Sequence, residues 1–143
     1  MEVSMRYLTL LGGVLVLSAC ASPVPPADPG QAWVELHSHA GTLLMADRLD
    51  GQRLSDGRYF QVTAGAHELQ ARFQFEMSSG GGLDGVSEPQ PVTCEIRVRH
   101  DNFVAGQRYR LEARPMQMKA QAWLYDEQRN VLARGKTLRC GTF

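Results

Sequence analysis

Four arginines are the sharpest chemical signal in the chain. Arg97 and Arg99 lie two residues apart, as do Arg108 and Arg110, and apolar residues alternate with them. On a strand every second side chain shares a face, so each pair presents two guanidinium groups together. If the two strands form a hairpin around Asn102-Phe103-Val104-Ala105-Gly106, all four stand on one outward face. Directly opposed cations repel unless an anion or a carboxylate compensates. A forked guanidinium pair suits phosphate or carboxylate recognition. Glu95 and Glu112 fall in the same outward register and would neutralise part of the patch. The alternative reading is a solvated strand face without a ligand.

Other reactive side chains form weaker constellations. His37 and His39 would share a strand face and could show two imidazoles to one metal, but no third or fourth ligand motif is legible, and no metal site is expected. His67 belongs to the apolar register of its strand and is expected to pack with its polar tip satisfied. The glycine-rich connection 78–91 (Gly80, Gly81, Gly82, Gly85) lacks the Gly-Lys-Ser/Thr of a phosphate loop. It reads either as a mobile link between strands or, given its length, as a functional loop. There is no Gly-x-Ser-x-Gly elbow and no His-Glu-x-x-His. The chain is therefore not expected to be an enzyme, and no cofactor is implied.

The elements that would position these residues are strands. From His67 to Met77 the odd positions are His, Leu, Ala, Phe, Phe and Met, and the even positions are Glu, Gln, Arg, Gln and Glu. Period two over eleven residues marks a long, half-buried strand. Val92, Cys94, Ile96 and Val98 continue the inward set on a second strand, and Tyr109, Leu111 and Ala113 on a third that Pro115 would end. Earlier strands are expected around Ala32 to Ser38, Thr42 to Leu49 and Tyr59 to Val62, with turns at Asp50-Gly51 and Asp56-Gly57. Met116 to Tyr125 and Val131 to Cys140 read as a final hairpin. No helical period is sustained. The expected fold is all-β, a single small antiparallel sandwich or partly closed barrel of about 7–8 strands.

The N-terminus supplies the context. Arg6 precedes an uncharged run from Tyr7 to Leu17, and the small residues Ser18 and Ala19 come before Cys20. This is the layout of a secretory signal. Its apolar core is too short to span a bilayer. Met5 is a possible start that would give a cleaner basic opening than Met1 with Glu2. Leu17-Ser18-Ala19-Cys20 resembles the lipobox of bacterial lipoproteins. The resemblance implies cleavage between Ala19 and Cys20, a diacylglyceryl group on the Cys20 sulfur and acylation of the new amine. Two or three acyl chains anchor a protein firmly. In that family an Asp after the cysteine favours the inner membrane. Here Ala21 and Ser22 follow, which implies the outer membrane, facing the periplasm. The alternative is an ordinary cleaved signal with a chance cysteine.

The organisation expected is thus a signal over 1–19, a lipidated cysteine and proline-rich linker over 20–31, and a β-domain over 32–143. Four prolines between Ala21 and Gly30 favour an extended arm, a spacer reaching up to ~30 Å at about 3.1 Å per residue. The sequence holds 15 basic and 15 acidic residues. The balance hides an asymmetry, since residues 20–90 are acidic in sum and residues 91–143 are basic. In an oxidising compartment Cys94 and Cys140 are the natural disulfide pair, closing a loop worth roughly 4 kcal/mol. The alternative is two buried thiols that never meet. Leu49-Asp50-Gly51, Phe60-Gln61-Val62 and Ala64-Gly65-Ala66-His67-Glu68-Leu69 resemble the PEGA-type module of bacterial surface proteins. Ala64 replaces a proline of that pattern, and its Thr-Pro pair is missing. This resemblance implies a structural or binding unit. The expected function is a non-enzymatic envelope module, tethered at Cys20, displaying a sheet to an envelope protein or an anionic glycan such as lipopolysaccharide. The alternative is an inhibitor of an exported hydrolase of lysozyme type, acting through the 78–91 loop. Nucleic acid is not an expected partner of an exported chain.

Overall fold

A computed structural model describes residues 20, 22–78 and 88–142. The signal segment with Leu17, Ser18 and Ala19, and the 79–87 part of the glycine-rich connection, lie outside the described residues.

Ten strands follow in chain order: β1 (Ala32–His37), β2 (Leu43–Leu49), β3 (Gln52–Arg53), β4 (Tyr59–Val62), β5 (Gly65–Ser78), β6 (Pro89–Phe103), β7 (Arg108–Met116), β8 (Lys119–Tyr125), β9 (Val131–Arg134) and β10 (Lys136–Gly141). They form two five-stranded sheets, β4-β1-β7-β8-β9 and β10-β6-β5-β2-β3, here named after their central strands the β7 sheet and the β5 sheet. The fold is a β-sandwich, not closed into a barrel. The two-residue β3 is too short to be expected from sequence, and the strand expected from Val131 to Cys140 is divided into β9 and β10.

The core is the inward register of both sheets. Leu69, Ala71, Phe73 and Phe75 of β5 and Val92, Cys94, Ile96 and Val98 of β6 are all buried. They meet Val34, Phe60, Val62, Leu111, Ala113, Ala122 and Leu124 from the opposite sheet. Large phenylalanines and small alanines together fill the layer between the sheets. The Asp50-Gly51 turn is present, with φ of 49° and 81°. Such left-handed geometry suits Asp-Gly and joins β2 to β3 directly.

Three features depart from the sequence expectations. First, β6 and β7 are not a hairpin. Phe103 and Tyr109 both turn inward, their rings edge-to-face at 5.0 Å, and the Val104 amide donates to the Tyr109 hydroxyl at 2.9 Å. The connection therefore arches over the core from one sheet to the other, with Gly106 at φ 80°. β7 then pairs β1 in parallel, so the sandwich is not purely antiparallel. Second, Pro115 does not end β7, which runs to Met116 and pairs Pro115 with Ala120 of β8. Third, the final hairpin splits at Gly135. β9 pairs β8, whereas β10 crosses to the other sheet and pairs β6. A Cβ on Gly135 would stand 2.8 Å from both Ala122 Cβ and Ile96 Cγ2, so the corner has no room for a side chain.

Candidate anion-binding face

The arch between β6 and β7 separates the four arginines. Arg97 and Arg99 lie on the outer face of the β5 sheet, and Arg108 and Arg110 on the outer face of the β7 sheet. The expected four-arginine patch does not exist. A different one does, and three of its four cations, Arg48, Arg53 and Lys136, lie outside the expected patch.

On the β5 sheet, Arg53 pairs with Arg48, Arg48 with Gln70, Gln70 with Arg97, and Arg97 with Lys136. One continuous row thus crosses all five strands with four cations and one amide. At about 4.8 Å between strands it is roughly 19 Å long. Two bulges aim it. In β2 the register shifts between Ala46 and Arg48, so Asp47 and Arg48 both face outward after the inward Ala46. In β10 it shifts between Thr137 and Arg139. Bulges re-aim side chains in this way at sheet edges.

The flanking rows are neutralised, whereas in this one only Arg48 has a carboxylate, Asp47, beside it. Arg99 Nε donates to Glu68 Oε2 at 2.6 Å. Arg139 forks onto Glu95 through Nε and Nη2 at 2.9 and 3.0 Å. That fork holds the Glu95 carboxyl below its ordinary range, with smaller help from the charges of Arg72 and Arg48. Arg48 and Arg72 share Asp47, at 3.7 and 3.4 Å. Arg53, Arg97 and Lys136 make no ion pair among the described residues. Asp47, Arg48, Arg53, Gln70, Arg72, Glu95 and Arg139 line a shallow cleft of about 240 Å³ beside the row.

The β7 sheet's outer face differs. Trp33 stacks on Tyr59, ring centroids 4.3 Å apart. Arg110 lies 3.7 Å from Glu35. Glu112 is buried, with Oε1 3.8 Å from His37 Nε2 and Oε2 3.8 Å from Arg129 Nη2. Arg114 covers the Trp123 ring at 5.8 Å and Arg129 the Tyr125 ring at 5.3 Å. Arg108 lines a cleft with Glu35, Asp126 and Glu127.

The remaining residues singled out from sequence are placed as follows. Cys94 and Cys140 oppose each other across β6 and β10, with sulfurs 2.03 Å apart. Cys20 is exposed. His67 packs as expected, Nδ1 lying 2.6 Å from Asp50 Oδ2 and Nε2 2.8 Å from the Thr63 carbonyl. Asp50 also accepts from the Glu68 amide at 2.8 Å. That bond first, and His67 second, hold its carboxyl below the ordinary range. The His37 and His39 rings lie edge-on at 6.0 Å. Among the described residues no three His, Cys, Asp or Glu side chains converge as a metal site would require.

The proline-rich arm is not held clear of the domain. Arg58 Nη1 donates to the Ser22 carbonyl at 2.6 Å while its Nε and Nη2 sit on Asp56. The Asp28 amide donates to Gln61 Oε1 at 3.2 Å. The arm therefore tracks β4. Compared with known proteins, the chain matches no protein-family model, no curated protein and no solved structure.

Proposed function

We propose that this chain is a lipid-anchored, non-enzymatic binding module of the bacterial outer membrane, facing the periplasm, and that its working surface is the outer face of the β5 sheet. The observation that carries the reading is the row Arg53, Arg48, Gln70, Arg97, Lys136, which has no carboxylate of its own. Cations in register across strands weaken a sheet by a few tenths to about 1 kcal/mol per opposed pair. An anionic partner removes that penalty and meets guanidinium forks suited to phosphate or carboxylate oxygens. The signal layout and the lipobox support the envelope setting, and the disulfide fits an oxidising compartment.

The test is retention of the mature chain on an immobilised sulfated polysaccharide across a salt gradient. Arg48→Gln/Arg97→Gln should elute at markedly lower salt than the parent, because exposed charges are screened within a Debye length. Arg108→Gln/Arg110→Gln should elute with the parent. Equal shifts in the two double variants would reject the β5 face as the site.

A further inference from the structure

The arm fixes where a lipid on Cys20 would sit relative to the basic row. Cys20 precedes the Ser22 carbonyl by two residues, and Arg58 grips that carbonyl at 2.6 Å. Two extended residues span at most ~7 Å. Arg58 itself sits at the edge of the β5 sheet. The segment leading to it leaves β3 and runs back along β2, where the Leu54 amide donates to the Asp47 carbonyl at 2.9 Å and the Ala46 amide to the Gly57 carbonyl at 2.8 Å. The attachment point is thus at the edge where the row begins with Arg53 and Arg48, and not at the far end of a spacer.

We infer that the outer face of the β5 sheet lies against the anionic headgroups of the bilayer that holds Cys20. This rests on the lipid-anchor reading above and narrows the anionic partner to the tethering membrane's own phosphates. Charge complementarity selects this face over the other. In the β5 row Arg48 stands beside Asp47, but Arg53, Arg97 and Lys136 have no ion pair among the described residues, whereas Arg110 and Arg129 of the β7 face stand beside Glu35 and Glu112. Basic residues close to an anionic leaflet are attracted within a Debye length of it, and a short tether keeps them there. The two contacts reinforce each other, since the acyl chains supply a high effective concentration for the weak electrostatic one.

The experiment uses the acylated mature chain on phosphatidylcholine vesicles with and without phosphatidylglycerol, with nickel chelated at the headgroups. Nitroxides are placed at Gln74→Cys, exposed on the β5 face, and Gln121→Cys, exposed on the β7 face. The expected result is strong broadening at position 74 and little at 121, only on vesicles with phosphatidylglycerol. Arg48→Gln/Arg97→Gln should abolish the contrast while the chain still floats with the vesicles, and Arg58→Gln should weaken it by loosening the arm. Equal broadening at both positions, or contrast on neutral vesicles, overturns the proposal. The mass of the mature chain separates the two failures. An acylated chain without contrast overturns the docking alone, and an unacylated chain overturns the anchor with it.

Discussion

The two outer faces of the sandwich are built from the same alphabet and reach opposite states. On the β7 face, arginines lie over aromatic rings or beside carboxylates, and Trp33 and Glu112 are buried although they point away from the core. Arg110, Arg114 and Arg129 are held by neighbours inside the chain. On the β5 face the carboxylates are taken up by the flanking rows, and Arg53, Arg97 and Lys136 are left without an ion-pair partner among the described residues. A count of arginines does not distinguish these surfaces. Register does, because it decides which charges stand opposite which.

The comparison can be broken at several points. The largest effect is expected from Cys94→Ala/Cys140→Ala, which should lower unfolding free energy by about 4 kcal/mol in denaturant titration. It should also loosen the β10 edge that carries Lys136, so polyanion retention falls while the fluorescence of Trp33 and Trp123 on the other face changes little. Trp33→Ala should cost about 3 kcal/mol, since a buried indole and its stack on Tyr59 are lost. It should leave retention intact. Gly135→Val should cost roughly 2 kcal/mol by overpacking against Ala122 and Ile96, and should disturb both faces because the corner belongs to both sheets.

Acid should act unequally. Glu95 and Asp50 have carboxyls held below their ordinary range in the folded chain. Their contribution is present at neutral pH and is lost as pH falls through those lowered values. Thermal unfolding followed from pH 7 downward should show stability declining there, and the β5 face should bind polyanions with a steeper salt dependence once Glu95 releases Arg139. The smallest effect carries the sharpest sign. Arg97→Gln should stabilise the chain by a few tenths of a kcal/mol at low salt, shrinking as salt rises. Arg99→Gln, which breaks the bond to Glu68, should destabilise by a similar amount.

Much of this was legible in the sequence, for reasons that also explain what was not. The alternation from His67 to Met77 fixes the faces of β5, and Asp50-Gly51 fixes a turn, because both are local rules. His67 lay in the inward register and is found packed against Asp50 and Thr63. The basic row depended on non-local facts. Arg48 joins it only because a bulge at Asp47 shifts the period by one, and alternation read without that bulge gives Arg48 the wrong face. Arg97 and Arg108 are eleven residues apart, and the arch held by Phe103 and Tyr109 sends them to different sheets. Lys136 follows Gly135, whose lack of a Cβ permits the crossing between sheets. None of these turns on residue type alone.

The arm along β4 bears on how the edge of its sheet meets a second chain. Among the described residues β4 pairs only with β1, so its other edge offers amides and carbonyls of the kind that recruit a second chain. The segment from Ser22 to Asp28 runs beside that edge, and its prolines have no amide with which to extend the ladder. A proteolytic nick between the arm and Gln31 would strip this guard. The trimmed domain would keep its core and its disulfide and yet associate edge to edge, so proteolysis within the arm would register first as self-association.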